Sequence, residues 1–100
     1  MTQLQNNART LPAPELKATM TGSWVLIGTL IAPPHKIIFD SLSTVPVAIS
    51  FDGGTTTWKT FAAGSALVLD EDFGTLSQGS QIWGNGASGD FSVAYTYYIL

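Results

Sequence analysis

Phe91-Ser92-Val93-Ala94-Tyr95-Thr96-Tyr97-Tyr98-Ile99 decides the fold class. Phe91, Val93, Tyr95, Tyr97 and Ile99 fall on one face of an extended chain, and Ser92, Ala94, Thr96 and Tyr98 fall on the other. Side chains in a β-strand alternate between faces with period two, so this spacing predicts a long strand with an apolar core side. Its outer side, with Tyr98 near the end, is mostly small or hydroxylic and suits contact with another subunit.

Upstream of it the sequence repeats one theme, a short apolar run followed by a turn signal. Gly84, Gly86 and Gly89 with Asn85 and Asp90 read as a flexible connection, and Gln81-Ile82-Trp83 before them as a short strand. Ala66-Leu67-Val68-Leu69 is a compact strand between Ala63-Gly64-Ser65 and the acidic run Asp70-Glu71-Asp72. Val45–Phe51 and Trp58–Phe61 flank Asp52-Gly53-Gly54, where glycine tolerates the positive φ of a tight turn. Lys36–Leu42 alternates around Ile37, Ile38 and Phe39, and Ser23–Ala32 ends at Pro33-Pro34, which cannot extend a hydrogen-bonded ladder. Seven short strands with no sustained helical period predict an antiparallel sandwich or small barrel. The expected core is Trp24, Leu26, Leu30, Ile37, Phe39, Val47, Ile49, Phe51, Leu67, Leu69, Ile82, Phe91, Val93 and Tyr95.

Residues 1–18 differ in texture. Polar Gln3, Gln5, Asn6, Asn7, Arg9 and Thr10 lead to Leu11-Pro12-Ala13-Pro14, where two prolines enforce extended geometry. Leu4, Leu11 and Leu16 are too sparse to form a core, so this stretch reads as an arm that packs on a neighbouring subunit or along its own domain. The division expected is an arm over 1–18 and a β-domain over 19–100, with at most a single helical turn near Pro14–Ala18.

With 100 residues the chain holds one core. Charged residues make up 11% and the net charge is -3, so solubility rests on hydroxyls, amides and glycine, and the surface favours contact with other protein. The four cations at positions 9, 17, 36 and 59 form no basic cluster, which argues against nucleic acid as a partner. Trp24–Pro34 is far too short and interrupted to cross a bilayer, and residues 1–16 lack the pattern of a secretion signal.

Chemistry-bearing residues are few. The chain has no cysteine and one histidine, His35, beside Pro33-Pro34 and without the nucleophile motif that an acyl-transfer base requires. Asp70-Glu71-Asp72 lacks the alternating ligand spacing of a calcium loop and reads as a solvated turn. No catalytic residue, metal site or cofactor is therefore expected. Ser50-Phe51-Asp52-Gly53-Gly54-Thr55-Thr56-Thr57-Trp58 resembles the Asp-box hairpin of sialidase-like propellers, with one residue more before the Trp. It occurs once, whereas a propeller needs several blades. The Asp52 carboxylate is instead expected to accept backbone amides, as in an Asx turn. Trp24, Trp58, Trp83, Tyr95, Tyr97 and Tyr98 suit a core or subunit interface, with a sugar-stacking platform as the alternative.

Ala48-Ile49-Ser50-Phe51-Asp52-Gly53, Phe61-Ala62-Ala63-Gly64-Ser65, Leu67-Val68-Leu69-Asp70, Leu76–Trp83, Gly86-Ala87-Ser88-Gly89 and Phe91–Tyr97 together form a pattern that resembles small accessory virion proteins of tailed bacteriophages. The resemblance covers about half the chain. It implies an all-β fold, an antiparallel β-sandwich or jelly-roll-like domain, to which the residues themselves add the extended N-terminal arm. It also implies a non-enzymatic role in the virion: capsid decoration or cement, collar, or a head-to-tail or tail component. The partners implied are major capsid, connector or tail subunits and further copies of the chain. A glycan- or protein-binding module of a tail fibre is the alternative. On this reading the interface candidates are Leu4, Leu11, Leu16, Trp58, Trp83, Tyr97, Tyr98 and Leu100.

Overall fold

The computed structural model describes residues 9–70 and 76–99. Among them are nine strands and no helix: β1 (Arg9–Pro12), β2 (Leu16–Thr19), β3 (Val25–Thr29), β4 (Pro34–Ser41), β5 (Val47–Ser50), β6 (Lys59–Phe61), β7 (Ala66–Leu69), β8 (Gln81–Gly86) and β9 (Asp90–Ile99). One sheet runs β2-β9-β4-β7, with β1 continuing the β2 side along the far half of β9; the other runs β3-β8-β5-β6. All pairings are antiparallel. The chain passes from sheet to sheet at nearly every connection, which is the strand order of a jelly roll.

The stretch 91–99 sits where its alternation demands. As β9 it lies at the centre of the first sheet, between β4 and the β1/β2 edge, with Phe91, Val93 and Tyr95 buried and Tyr98 exposed. The matching face of β4 buries Ile37 and Phe39, and the second sheet contributes Val47, Ile49, Phe61 and Ile82. Phe39, Phe61 and Phe91 are among the largest fully buried side chains, each contributing about 1.5–3 kcal/mol of transfer free energy. Phe61 meets Phe91 edge-on at 5.1 Å between ring centroids, tying the edge of one sheet to the centre of the other.

Several expectations change. The boundary between residues 18 and 19 falls inside β2, and the Pro14–Ala18 region is extended rather than a helical turn. Ala13 N donates to Tyr95 O at 2.9 Å, so the described part of the arm, residues 9–18, is held by the chain's own β9. Its backbone groups that face β9 pair in a ladder despite its sparse apolar content. Leu26 is exposed and Ile27 buried, because the β3–β8 register slips between Leu26 and Gly28 and shifts the alternation by one residue. Phe51, Leu67 and Leu69 are half-buried at the rim of the core and Trp24 is half-buried away from it, while Met20, Phe61 and Leu76 join its interior.

The glycines expected to make a flexible connection are largely strand. Gly84 and Gly86 alternate with Ile82 on the inner face of β8. A Cβ on Gly84 would lie 2.9 Å from Ile27 Cδ1 and 3.0 Å from Met20 Sδ, and one on Gly86 would lie 2.9 Å from Val47 Cγ2. These glycines make room for side chains from neighbouring segments, which no local signal reveals.

Candidate functional site

The interface candidates are spread over the molecule. Leu4 and Leu100 lie outside the described residues. Leu11 is exposed on β1 opposite Tyr97, which is half-buried and packs against the core from β9. Leu16 is half-buried, and its side chain occupies the space beside Gly28, where a Cβ would come within 2.6 Å of its Cδ2. Trp83 lies on the outer face of the second sheet, its Nε1 donating to Gln81 Oε1 at 3.2 Å. Tyr98 lies on the outer face of the first sheet, 51% exposed, with its ring 4.6 Å from that of His35.

The six aromatic residues considered as a sugar platform are likewise not gathered. Tyr95 is buried and its hydroxyl accepts a hydrogen bond from Ile31 N at 2.9 Å. Trp58 joins an aromatic cluster with Phe51 at 5.0 Å, Phe39 at 5.2 Å and Phe61 at 6.2 Å. Trp24 lies over the Gly54 backbone, its indole carbons and nitrogen occupying the space a Cβ would need.

The turn after β5 has the hydrogen bonding its sequence suggests. Ser50 Oγ donates to Asp52 Oδ1 at 2.6 Å and accepts from Gly54 N at 3.0 Å, and Thr56 N donates to the same carboxylate oxygen at 2.9 Å. The Ser50 hydroxyl and, after it, the Thr56 amide hold the Asp52 carboxyl below its ordinary pKa. Gly53 and Gly54 take φ of 79° and 102°, which a non-glycine residue adopts only with strain. Phe51, Asp52, Thr56 and Trp58 line a shallow recess of about 250 Å3 beside this turn. The Asp52 carboxylate is largely occupied as a turn brace.

The outer face of the first sheet carries a short apolar row. Ala94 pairs with Ile38, which pairs in turn with Val68, giving a row across β9, β4 and β7. Ile38 is 37% and Val68 53% exposed. Polar residues flank the row: Thr96 and Lys36 on one side, Ser92 and Asp40 on the other. At the Ser92 end, Ser92 Oγ donates to Glu15 Oε2 at 2.8 Å, Thr19 Oγ1 donates to Asp90 Oδ1 at 2.6 Å, and Lys17 stands 3.8 Å from Asp90. Charged side chains therefore bracket the row, Lys36 on one side and Glu15, Lys17, Asp40 and Asp90 on the other, and leave the middle apolar. Sequence alternation had marked Ala94 as outward-facing, but joining it to Ile38 and Val68 required the strand order.

Among the described residues no group of three or more His, Asp or Glu side chains is placed to hold a metal ion, and no helix is long and apolar enough to cross a membrane.

No family model matches the chain, and no curated protein matches its sequence. Among solved structures, one described by the words "Bacillus endospore appendages form a novel family of disulfide-linked pili" is similar in fold. Its TM-score is 0.53 at 18% identity, over 94% of this chain and 90% of that one. A de novo designed double-stranded β-helix solved by NMR aligns over 92% of this chain and 97% of its own, with 10% identity and a TM-score of 0.34. The two-sheet β-sandwich is thus shared with a natural protein of very different sequence.

Proposed function

We propose that the chain is a non-enzymatic structural subunit of a repeating protein assembly, and more specifically a virion protein of a tailed bacteriophage acting in capsid decoration or at the collar. The observation that carries this reading is the Ala94–Ile38–Val68 row on the outer face of the first sheet, in a chain with only 11% charged residues. Contiguous apolar surface on a soluble domain marks an interaction face, and a sheet face is flat enough to meet a protein wall. The sandwich supplies a rigid block, and β1 and β2 widen that face by filling the edge of β9.

Mass spectrometry and cryo-electron microscopy of purified phage particles test the proposal. The protein is expected in many symmetry-related copies with the Ile38 face against another virion protein, and Ile38→Glu is expected to abolish incorporation while the soluble domain stays folded. Absence from particles, or full incorporation of Ile38→Glu, would overturn it. Similarity in fold to a pilus subunit favours a second reading, a filament subunit. Lacking cysteine, this chain would have to build its filament without the disulfide links named for that protein. Filaments of the purified protein with no association to phage heads or tails would select that reading.

A further inference from the structure

Two sheets present four edges, and three carry features that discourage pairing with another strand. The β1/β2 edge has Pro12 at the end of β1 and Pro14 inside the break between its two short strands, and Lys17 lies on β2. The β3 edge is distorted by the register slip at Ile27. The β6 edge is three residues long and begins with Lys59. Proline, bulges, lysine and brevity are the usual protections of an exposed edge. β7 has none of the first three: its sequence is Ala66-Leu67-Val68-Leu69, and among the described residues no strand pairs its outer side.

The side chains of β7 also end abruptly. Leu67 and Leu69 face the core but remain half-buried, since nothing described lies beyond them, and Val68 is the outermost member of the apolar row. We propose that β7 pairs antiparallel with β7 of a second copy, with Val68 on the two-fold axis. Directly opposed residues in an antiparallel pair share a face. This register therefore sets Val68 against its own copy, Leu67 against Leu69 on the core side, and Ala66 against Asp70. It places no like charges opposite one another, closes the open rim of both sandwiches, and makes the two apolar rows continuous from Ala94 of one copy to Ala94 of the other. Shifting the register by two residues would put Asp70 opposite Val68 or beyond the partner strand, losing one or more of these matches. An isologous contact of this kind gives a closed two-fold dimer.

Four residues per strand bury well below the ~1,200 Å2 of a standard stable interface. The pairing is accordingly weak in dilute solution and gains strength where subunits are already concentrated, as in a particle or filament. The choice of a second copy as partner rests on the assembly-subunit reading; the choice of edge rests on the strand geometry alone.

The absence of cysteine from the chain makes the test direct. Opposed Cα atoms in an antiparallel pair are about 4.5–5.5 Å apart, within the span of a disulfide. Val68→Cys is expected to form a disulfide dimer under mild oxidation about tenfold faster than Leu26→Cys, a similarly exposed thiol on the distorted β3 edge. The unmodified protein is expected to self-associate weakly in sedimentation at high concentration, and Val68→Lys, which puts two like charges on the axis, is expected to remove that association with an unchanged circular dichroism spectrum. Equal crosslinking rates for the two cysteine variants, no self-association of the unmodified protein, or unchanged self-association of Val68→Lys would overturn the pairing. Any of these results in a protein still found in assembled particles would leave the assembly reading standing and dismiss only this contact.

Discussion

Replacing Gly89 with alanine challenges the fold in two ways at once. Gly89 precedes β9 with φ at 85°, in the left-handed region, so any side chain there carries a backbone penalty of about 1–2 kcal/mol. An alanine Cβ would also lie 2.7 Å from Ser43 Cα, Cβ and Oγ. Ser43 cannot retreat easily: its Oγ donates to Ser88 O at 2.7 Å and accepts from Val45 N at 3.1 Å, while its carbonyl accepts from Gly64 N at 3.0 Å. Gly89 is fixed from the other side, because its carbonyl accepts from Met20 N at 2.7 Å. Overpacking against such a site adds about 1–3 kcal/mol, giving a total of roughly 2–5 kcal/mol. At about 4–8 °C per kcal/mol for a domain of this size, the melting temperature should fall by roughly 8–40 °C. Gly79→Ala is the control, since Gly79 has nearly the same φ, 87°, with no atom within 4 Å of the added Cβ. It should cost only the backbone term of about 1–2 kcal/mol. Urea unfolding of both variants measures the difference directly. Equal destabilisation would refute the close approach of residue 89 to Ser43.

Further outcomes follow from the same structure. Asp52 has a folded-state pKa below 3.8, so its stabilising contribution is complete above that pH and disappears as pH falls through the folded value. Asp52→Asn should therefore flatten the acid limb of the urea midpoint below about pH 4, with no new pH dependence between pH 5 and 8; an unchanged acid limb would contradict the Ser50–Asp52 hydrogen bond. Removing residues 1–12 deletes β1, whose four residues are all exposed, and should lower stability by no more than about 1 kcal/mol. Extending the deletion through Leu16 should cost about 1–2 kcal/mol more in the same titration, because the half-buried Leu16 leaves a gap beside Gly28.

Alternation marked the buried faces of β4 and β9 from Ile37, Phe39, Phe91, Val93 and Tyr95, because strand period is a property of consecutive residues. The Ser50–Asp52–Thr56 brace was legible for a similar reason, since its partners lie within a few residues of one another. Leu26 and Ile27 exchanged roles at a register slip set by β8, and Gly84 and Gly86 became structural only because Met20, Ile27 and Val47 occupy the space beside them. The apolar row had the same dependence: Ala94, Ile38 and Val68 are far apart in sequence and adjacent only in the order β9-β4-β7. The sequence by itself determined an all-β chain, its strands from Ser23 onward and its closed Asp52 turn. Tertiary structure alone decided that residues 9–19 join their own sheet, which glycines make room for neighbours, and which edge has no partner among the described residues. Partner choice between strands depends on long-range packing and backbone hydrogen bonding, neither of which has a local period to read.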